Sequence, residues 1–277
     1  MNQYIKHILL ATAMLTGASL SASITLVVLP SSGTDLASGI SSSNTYTHAF
    51  DFGEGSSTSV NGVSFTAGFP DGSGGGVSED DGSNPYIMTD GSTSNTLTID
   101  RGGVGLAGIG DSLAGAYTSK LGRTTLADGD SFAFFNSFGL IGGDITVGET
   151  LTFTIGGLTF GSTYSARLYG EAWTDAADAR EITVGANGED LLVDWSDPNN
   201  SGSNAVGTGF YIDITYTATG AEQDIILTIE DTNQGPHMAG FTNQLTSAAV
   251  PEPSTYALIL GLVSIVGIYT RRRLLSR

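Results

Sequence analysis

The stretch FYIDITYTA, residues 210–218, alternates across an extended backbone: Phe210, Ile212, Ile214 and Tyr216 fall on one side, Tyr211, Asp213 and Thr215 on the other. Successive side chains of a strand point to opposite faces, so this period of two is what a half-buried strand requires. Working outward, similar alternating or β-branched runs occupy residues 46–52, 59–67, 96–100, 131–138, 150–155, 163–169, 181–184, 224–230 and 238–245, broken by Gly, Asn, Asp and Ser. Short runs of this kind between turn residues predict an all-β protein, an antiparallel β-sandwich or jelly roll. Residues 70–85 are too rich in Gly and Asp to pack and read as an exposed loop. The alternation fades over 102–130, where 111–121 could form a short helix at the sandwich edge. No internal repeat is visible, so residues 24–249 read as one domain.

Charge is segregated. Between Ile24 and Val250 the basic residues are Arg101, Lys120, Arg123, Arg167 and Arg180, against 27 of the chain's 28 acidic residues, a balance near −22. Such a surface repels nucleic acid and anionic headgroups. The remaining cations, Lys6, Arg271, Arg272, Arg273 and Arg277, sit at the two ends. With no cysteine, disulfides, thiolate metal sites and cysteine nucleophiles are excluded.

Both ends read as addresses. Residues 1–23 have a polar start with Lys6, an apolar run over 8–15 and small residues in GASLSAS, the layout of a signal peptide for signal peptidase. Ser21 with Ser23, or Gly17 with Ser19, satisfies the small-residue rule before the cut. The apolar run at 24–29 is either a first strand or an extension of the signal. Residues 250–277 hold VPEPS, an uncharged apolar run over 256–269, and Arg271-Arg272-Arg273. Two prolines two apart forbid a regular helix, leaving a stiff spacer. The apolar run as a helix is about 21 Å long, short of the roughly 30 Å hydrocarbon core, but snorkelling arginine stems narrow the gap. The arginines belong on the cytoplasmic side, with the acidic body outside. The expectation is a single C-terminal transmembrane helix.

This arrangement resembles the PEP-CTERM family of sorting signals, whose tail is also labelled an ice-binding protein C-terminal domain. The resemblance implies that Pro251, Glu252 and Pro253 are recognised by a membrane-embedded exosortase, that Arg271, Arg272 and Arg273 retain the tail, and that the body is held briefly in the membrane before reaching the cell surface or matrix. It also implies a setting rich in exopolysaccharide. The body is similar to jelly-roll passenger domains, on the phrases VNGVSFTA (60–67), GLTFGSTYSARLYGEAW (157–173), REITVG (180–185) and YTATGAEQDIILTI (216–229).

Signs of catalysis are sparse. Outside the signal peptide the histidines are His48 and His237, with no HExxH and no GxSxG elbow. A glycosidase would need paired carboxylates, for which Glu171 with Glu181 or Asp175 is the one nomination. Asp71, Glu79, Asp80 and Asp81, or Asp194, Asp197 and Asn199, offer oxygen ligands for structural calcium, though no calcium-loop motif is present and solvated turns are the default. No cofactor is expected. Trp173, Trp195 and Tyr169 are the candidates for stacking a glycan. Ice binding would need flat, regular Thr arrays, and no periodic Thr motif appears. The reading is a noncatalytic binding or structural sandwich, with a polysaccharide-acting enzyme as the alternative.

Overall fold

The computed structural model describes residues 22–30, 35–54, 58–69, 85–90, 94–100, 139–140, 145–172, 180–198, 208–231 and 236–249, with single positions at 134, 261, 264 and 265. Apart from one 3-10 turn at Asp35–Ser38, the regular structure among them is almost all strand. In chain order they are β1 (Ser23–Val28), β2 (Thr45–Glu54), β3 (Ser59–Val60), β4 (Val63–Ser64), β5 (Thr66–Phe69), β6 (Tyr86–Thr89), β7 (Thr96–Asp100), β8 (Gly139–Leu140), β9 (Thr150–Ile155), β10 (Thr163–Glu171), β11 (Glu181–Ala186), β12 (Glu189–Asp194), β13 (Gly209–Thr217), β14 (Gln223–Ile229) and β15 (His237–Ser247).

The strands form two large sheets. The first runs β1-β13-β10-β15-β2-β5, with β8 added on β15; the second runs β12-β11-β14-β9-β7-β6. Their inner faces share one apolar core. Phe50, Leu168, Ile212 and Phe241 come from the first sheet, and Leu97, Phe153, Val184 and Leu227 from the second. Two antiparallel sheets face to face over a common core make a β-sandwich. The opening stretch behaves as its pattern demands: Phe210, Ile212, Ile214 and Tyr216 point into that core. The run at 24–29 is a strand, paired along its length with β13.

One run departs from expectation. Residues 59–67 are not one strand but a tight β3–β4 hairpin followed by β5. Asn61 and Gly62 take φ of 49° and 78°, the left-handed pair that a two-residue hairpin turn needs. β5 then pairs with β2 in parallel, unlike the antiparallel pairing expected throughout. The β3–β4 hairpin helps build a second cluster on the outer side of the first sheet, where Val60, Val63, Phe65 and Ile40 meet Tyr169 and Tyr211. Arg167 pins this cover down. Its Nε donates to Asp213 Oδ2 at 2.9 Å, its Nη1 donates to the Gly39 carbonyl at 2.7 Å, and its guanidinium lies 4.8 Å from the Tyr211 ring centre.

Candidate functional site

The second sheet turns an outward face to solvent, whereas the outer side of the first is partly covered, with Ser23, Thr25 and Thr215 exposed beyond the cover. Strand alternation sends Leu97, Phe153, Val184 and Leu227 inward, so their neighbours point out. Register lines these neighbours up in three rows. One row is Ile87, Thr98, Thr154 and Asp224. The next is Asp100, Thr152, Ile226, Gly185 and Asp190, and the third is Thr150, Thr228, Thr183 and Leu192. Neighbours within a row stand about 4.8 Å apart and rows about 6.8 Å apart. Ile87 and Leu192 are each 56% exposed and Ile226 is 42% exposed, so the face mixes hydroxyls with aliphatic patches.

Gly185 puts no side chain into the middle row, and the Asp190 carboxylate leans over its place. A Cβ there would stand 2.5 Å from Asp190 Oδ1. This place is part of a groove of about 490 Å³ lined by Thr183, Asp190, Asp224, Ile226 and Thr228, with Asn187, Glu222 and Gln223 at one end. Internal bonds set these groups in place. Thr154 Oγ1 donates to Asp224 Oδ1 at 2.6 Å, and Gln223 Nε2 donates to Asn187 Oδ1 at 3.1 Å. Asn187 and Gly188, with φ of 50° and 81°, turn the chain between β11 and β12. The described lining holds no aromatic ring and no basic side chain. Hydroxyls, amides and carboxylates around an aliphatic floor suit a polyol: they can exchange hydrogen bonds with sugar hydroxyls while Ile226 meets the C–H face.

The stacking candidates do not form such a surface. Trp195 is fully buried, edge-on to Phe210 at 4.9 Å, with Nε1 donating to the His237 carbonyl at 3.0 Å. Tyr169 is also fully buried, its ring 5.4 Å from Phe134, and burial pushes its hydroxyl pKa up. Both are core groups because their strands bring them under the cover or the strand ends; neither can meet a sugar ring, which corrects the expectation drawn from aromatic content. Trp173 lies outside the described residues, as do Pro251, Glu252, Pro253, Arg271, Arg272 and Arg273.

The nominated carboxylates are not brought together either. Glu171 follows Arg167 and Tyr169 on the outer side of the first sheet and is buried. Glu181 follows the outward alternation of Thr183 and Gly185 on the second sheet. Side chains on opposite outer sides of two packed sheets do not face one cleft, as the paired carboxylates of a glycosidase must. Asp175 lies outside the described residues. The two histidines are structural in their contacts: His48 bonds Thr47 Oγ1 at 2.9 Å and the Thr96 carbonyl at 3.1 Å, and His237 takes a 2.8 Å bond from Arg180 Nη1 at Nδ1. Burial lowers the pKa of both, and the Arg180 charge adds to the effect on His237. Asp194 Oδ1 accepts from the Ser196 amide and hydroxyl and from the Asp197 amide, the bonding of a turn cap. Among the described residues no three His, Cys, Asp or Glu gather to hold a metal ion. Asp71, Glu79, Asp80, Asp81 and Asn199 lie outside them.

The groove residues were missed because no local motif marks them. The available signal was the Thr content of outward positions in TLTFTI and TLTID. What makes an array is lateral pairing of strands distant in sequence.

Comparison with known proteins decides the C-terminal end. The tail matches the PEP-CTERM protein-sorting motif. Residues 249–273 are that motif. A PEP-CTERM motif marks a chain for exosortase processing, export and sorting to the cell surface. No curated protein matches the chain. Among solved structures, a family 35 carbohydrate-binding module from an environmental isolate is 20% identical over 41% of this chain and 80% of its own, with a TM-score of 0.29. A family GH115 4-O-methyl-α-glucuronidase with specificity for decorated arabinogalactans is 13% identical over 42% of this chain and 15% of its own, with a TM-score of 0.25. At these scores neither structure carries a ligand or an activity over to this chain.

Proposed function

We propose that this chain is a noncatalytic surface protein: a leader takes it across the inner membrane, the PEP-CTERM tail holds it there by a short helix, and an exosortase then passes the β-sandwich to the cell surface or matrix. The sorting motif at 249–273 carries this reading. Gly261, Ser264 and Ile265 within the apolar run are helical and exposed, Ile265 at 64%, as expected of a run not folded into the body's core. The burial of Ala22 in the main core and the pairing of Ser23 with Thr215 favour a leader shorter than residues 1–23, ending before Ala22. Of the two cuts the small-residue rule allows, the one after Ser19 leaves β1 whole. The body binds a glycan in the groove between β11 and β14, using Asp190, Asp224 and Thr183 for hydroxyls and Ile226 for the ring face.

Two measurements test this. Replacing Arg271, Arg272 and Arg273 with Ala is expected to shift the chain out of the membrane fraction and to slow processing; unchanged fractionation overturns the tail reading. Gly185→Val pushes the Asp190 carboxylate out of its place in the groove and is expected to abolish retention on a glycan array that the parent protein passes. Undiminished binding by that variant removes the groove from consideration.

A further inference from the structure

The last residues of β15 do not drift away from the body. Ser247 pairs with Thr163, the Ala249 amide donates to Ser162 Oγ at 2.9 Å, and a Cβ on Gly161 would touch Ala249 at 3.4 Å. The folded body therefore reaches Ala249, and the apolar run starts at Tyr256. Seven Cα steps separate them, which span at most about 25 Å when fully extended. A compact domain of this size has a radius of gyration of roughly 17 Å. A tether of that length keeps the end of the sandwich where the chain departs within about 25 Å of the point where the apolar run begins.

That same end presents Phe160, 70% exposed, the most exposed large apolar side chain among the described residues. Phe160 directly precedes the Gly161–Ser162 pair that ties Ala249. Its loop is braced from below, with Leu158 donating to the Ala221 carbonyl and Gly161 to the Ala218 carbonyl, at 3.0 and 2.8 Å. An aromatic ring on a short rigid loop beside a membrane tether is placed to enter the interfacial layer, where apolar rings gain by leaving water. We infer that the 158–162 loop is a membrane-contact surface, with Phe160 inserted into the headgroup region of the bilayer for as long as the tail is uncut. This rests on the proposal that the tail lies in the membrane. Exposed Glu222 on the adjoining turn disfavours an anionic surface, so the occupant is a zwitterionic bilayer. After cleavage one ring is too weak an anchor to hold the body, and it departs.

The test uses the chain with its tail in phosphatidylcholine vesicles whose acyl chains carry bromine, a quencher of Trp fluorescence. Phe160→Trp puts the reporter on the loop, and Leu192→Trp puts one on the far row of the open sheet; both positions are exposed, so neither swap disturbs the core. Expected is quenching and a blue shift for Phe160→Trp beyond the parent's own Trp signal, and no quenching for Leu192→Trp. If Phe160→Trp stays unquenched while the protein floats with the vesicles, the contact surface is refuted and the tail reading stands. If the protein fails to float with vesicles, both fall. A Phe160→Ser chain that is processed slowly in cells, with Phe160→Trp unquenched in vesicles, would assign the ring to the processing enzyme and overturn the lipid contact.

Discussion

Trp195 is the residue whose role the sequence and the structure assign most differently, and its replacement separates the two. Its side chain is fully buried, its Nε1 donates to the His237 carbonyl at 3.0 Å, and its ring packs on Phe210 and the bare face of Gly170. Trp195→Phe keeps most of the ring but loses the Nε1 bond to the His237 carbonyl, which costs about 0.5–1.5 kcal/mol. Trp195→Ala removes the ring as well and costs about 3–5 kcal/mol. For a domain of this size each kcal/mol lowers Tm by about 2–4 °C, so the Ala variant should melt about 6–20 °C earlier. Urea unfolding followed by far-UV circular dichroism measures both variants without relying on the fluorophore that is lost. Glycan binding by the folded Trp195→Phe protein should match the parent. An Ala variant within about 1 kcal/mol of the parent that has lost glycan binding would refute the placement of Trp195 in the core.

Other outcomes follow from separate features. Gly188→Ala, at φ 81°, should destabilise the β11–β12 hairpin by about 1 kcal/mol or more, seen as a lower urea midpoint with unchanged slope. Burial holds His48 and His237 below their ordinary 6.5, so the unfolded chain binds more protons than the native one at acidic pH. Stability is therefore full above 6.5 and falls as pH drops below it; His48→Gln should flatten part of that slope in urea midpoints taken across the range. Mass analysis of the exported protein should find Leu20 first in the mature chain; an N-terminus at Ile24 would show that β1 forms without Ala22 and Ser23. Asp213→Ala leaves the Arg167 guanidinium, only 13% exposed, without its carboxylate, and should cost about 3 kcal/mol and loosen the cover over Tyr211, read by proteolysis near Gly39.

Much of the fold was legible because one face of most strands is buried. The runs at 96–100, 150–155 and 209–217 coincide with β7, β9 and β13, where alternation is strict. β12 escaped because Leu191, Leu192 and Val193 follow one another without a polar break, and Leu192 is exposed on an edge strand where alternation is not enforced. β6 is four residues long and gains its order from pairing with β7. The site was far less legible. A tryptophan reads the same whether it lies under a strand end or on a surface, so Trp195 gave no sign of its burial. Thr152, Ile226 and Gly185 become neighbours only through the β9–β14–β11 pairing, which joins residues far apart in the chain. The tail stood out because its proline pair, apolar run and arginines lie in one continuous stretch.

The tail leaves the body from β15, and β15 is not an edge: β10 bonds it on one side and β2 on the other. Antiparallel ladder bonds run perpendicular to the strand. A pull on the C-terminus, whether from a membrane or from whatever later holds that end at the surface, therefore loads both ladders in shear and strains their bonds together. A chain leaving along β12 or β6 would load one ladder alone, since each has a single neighbour. The position of the last strand thus spreads a load applied at the C-terminus over two ladders of bonds.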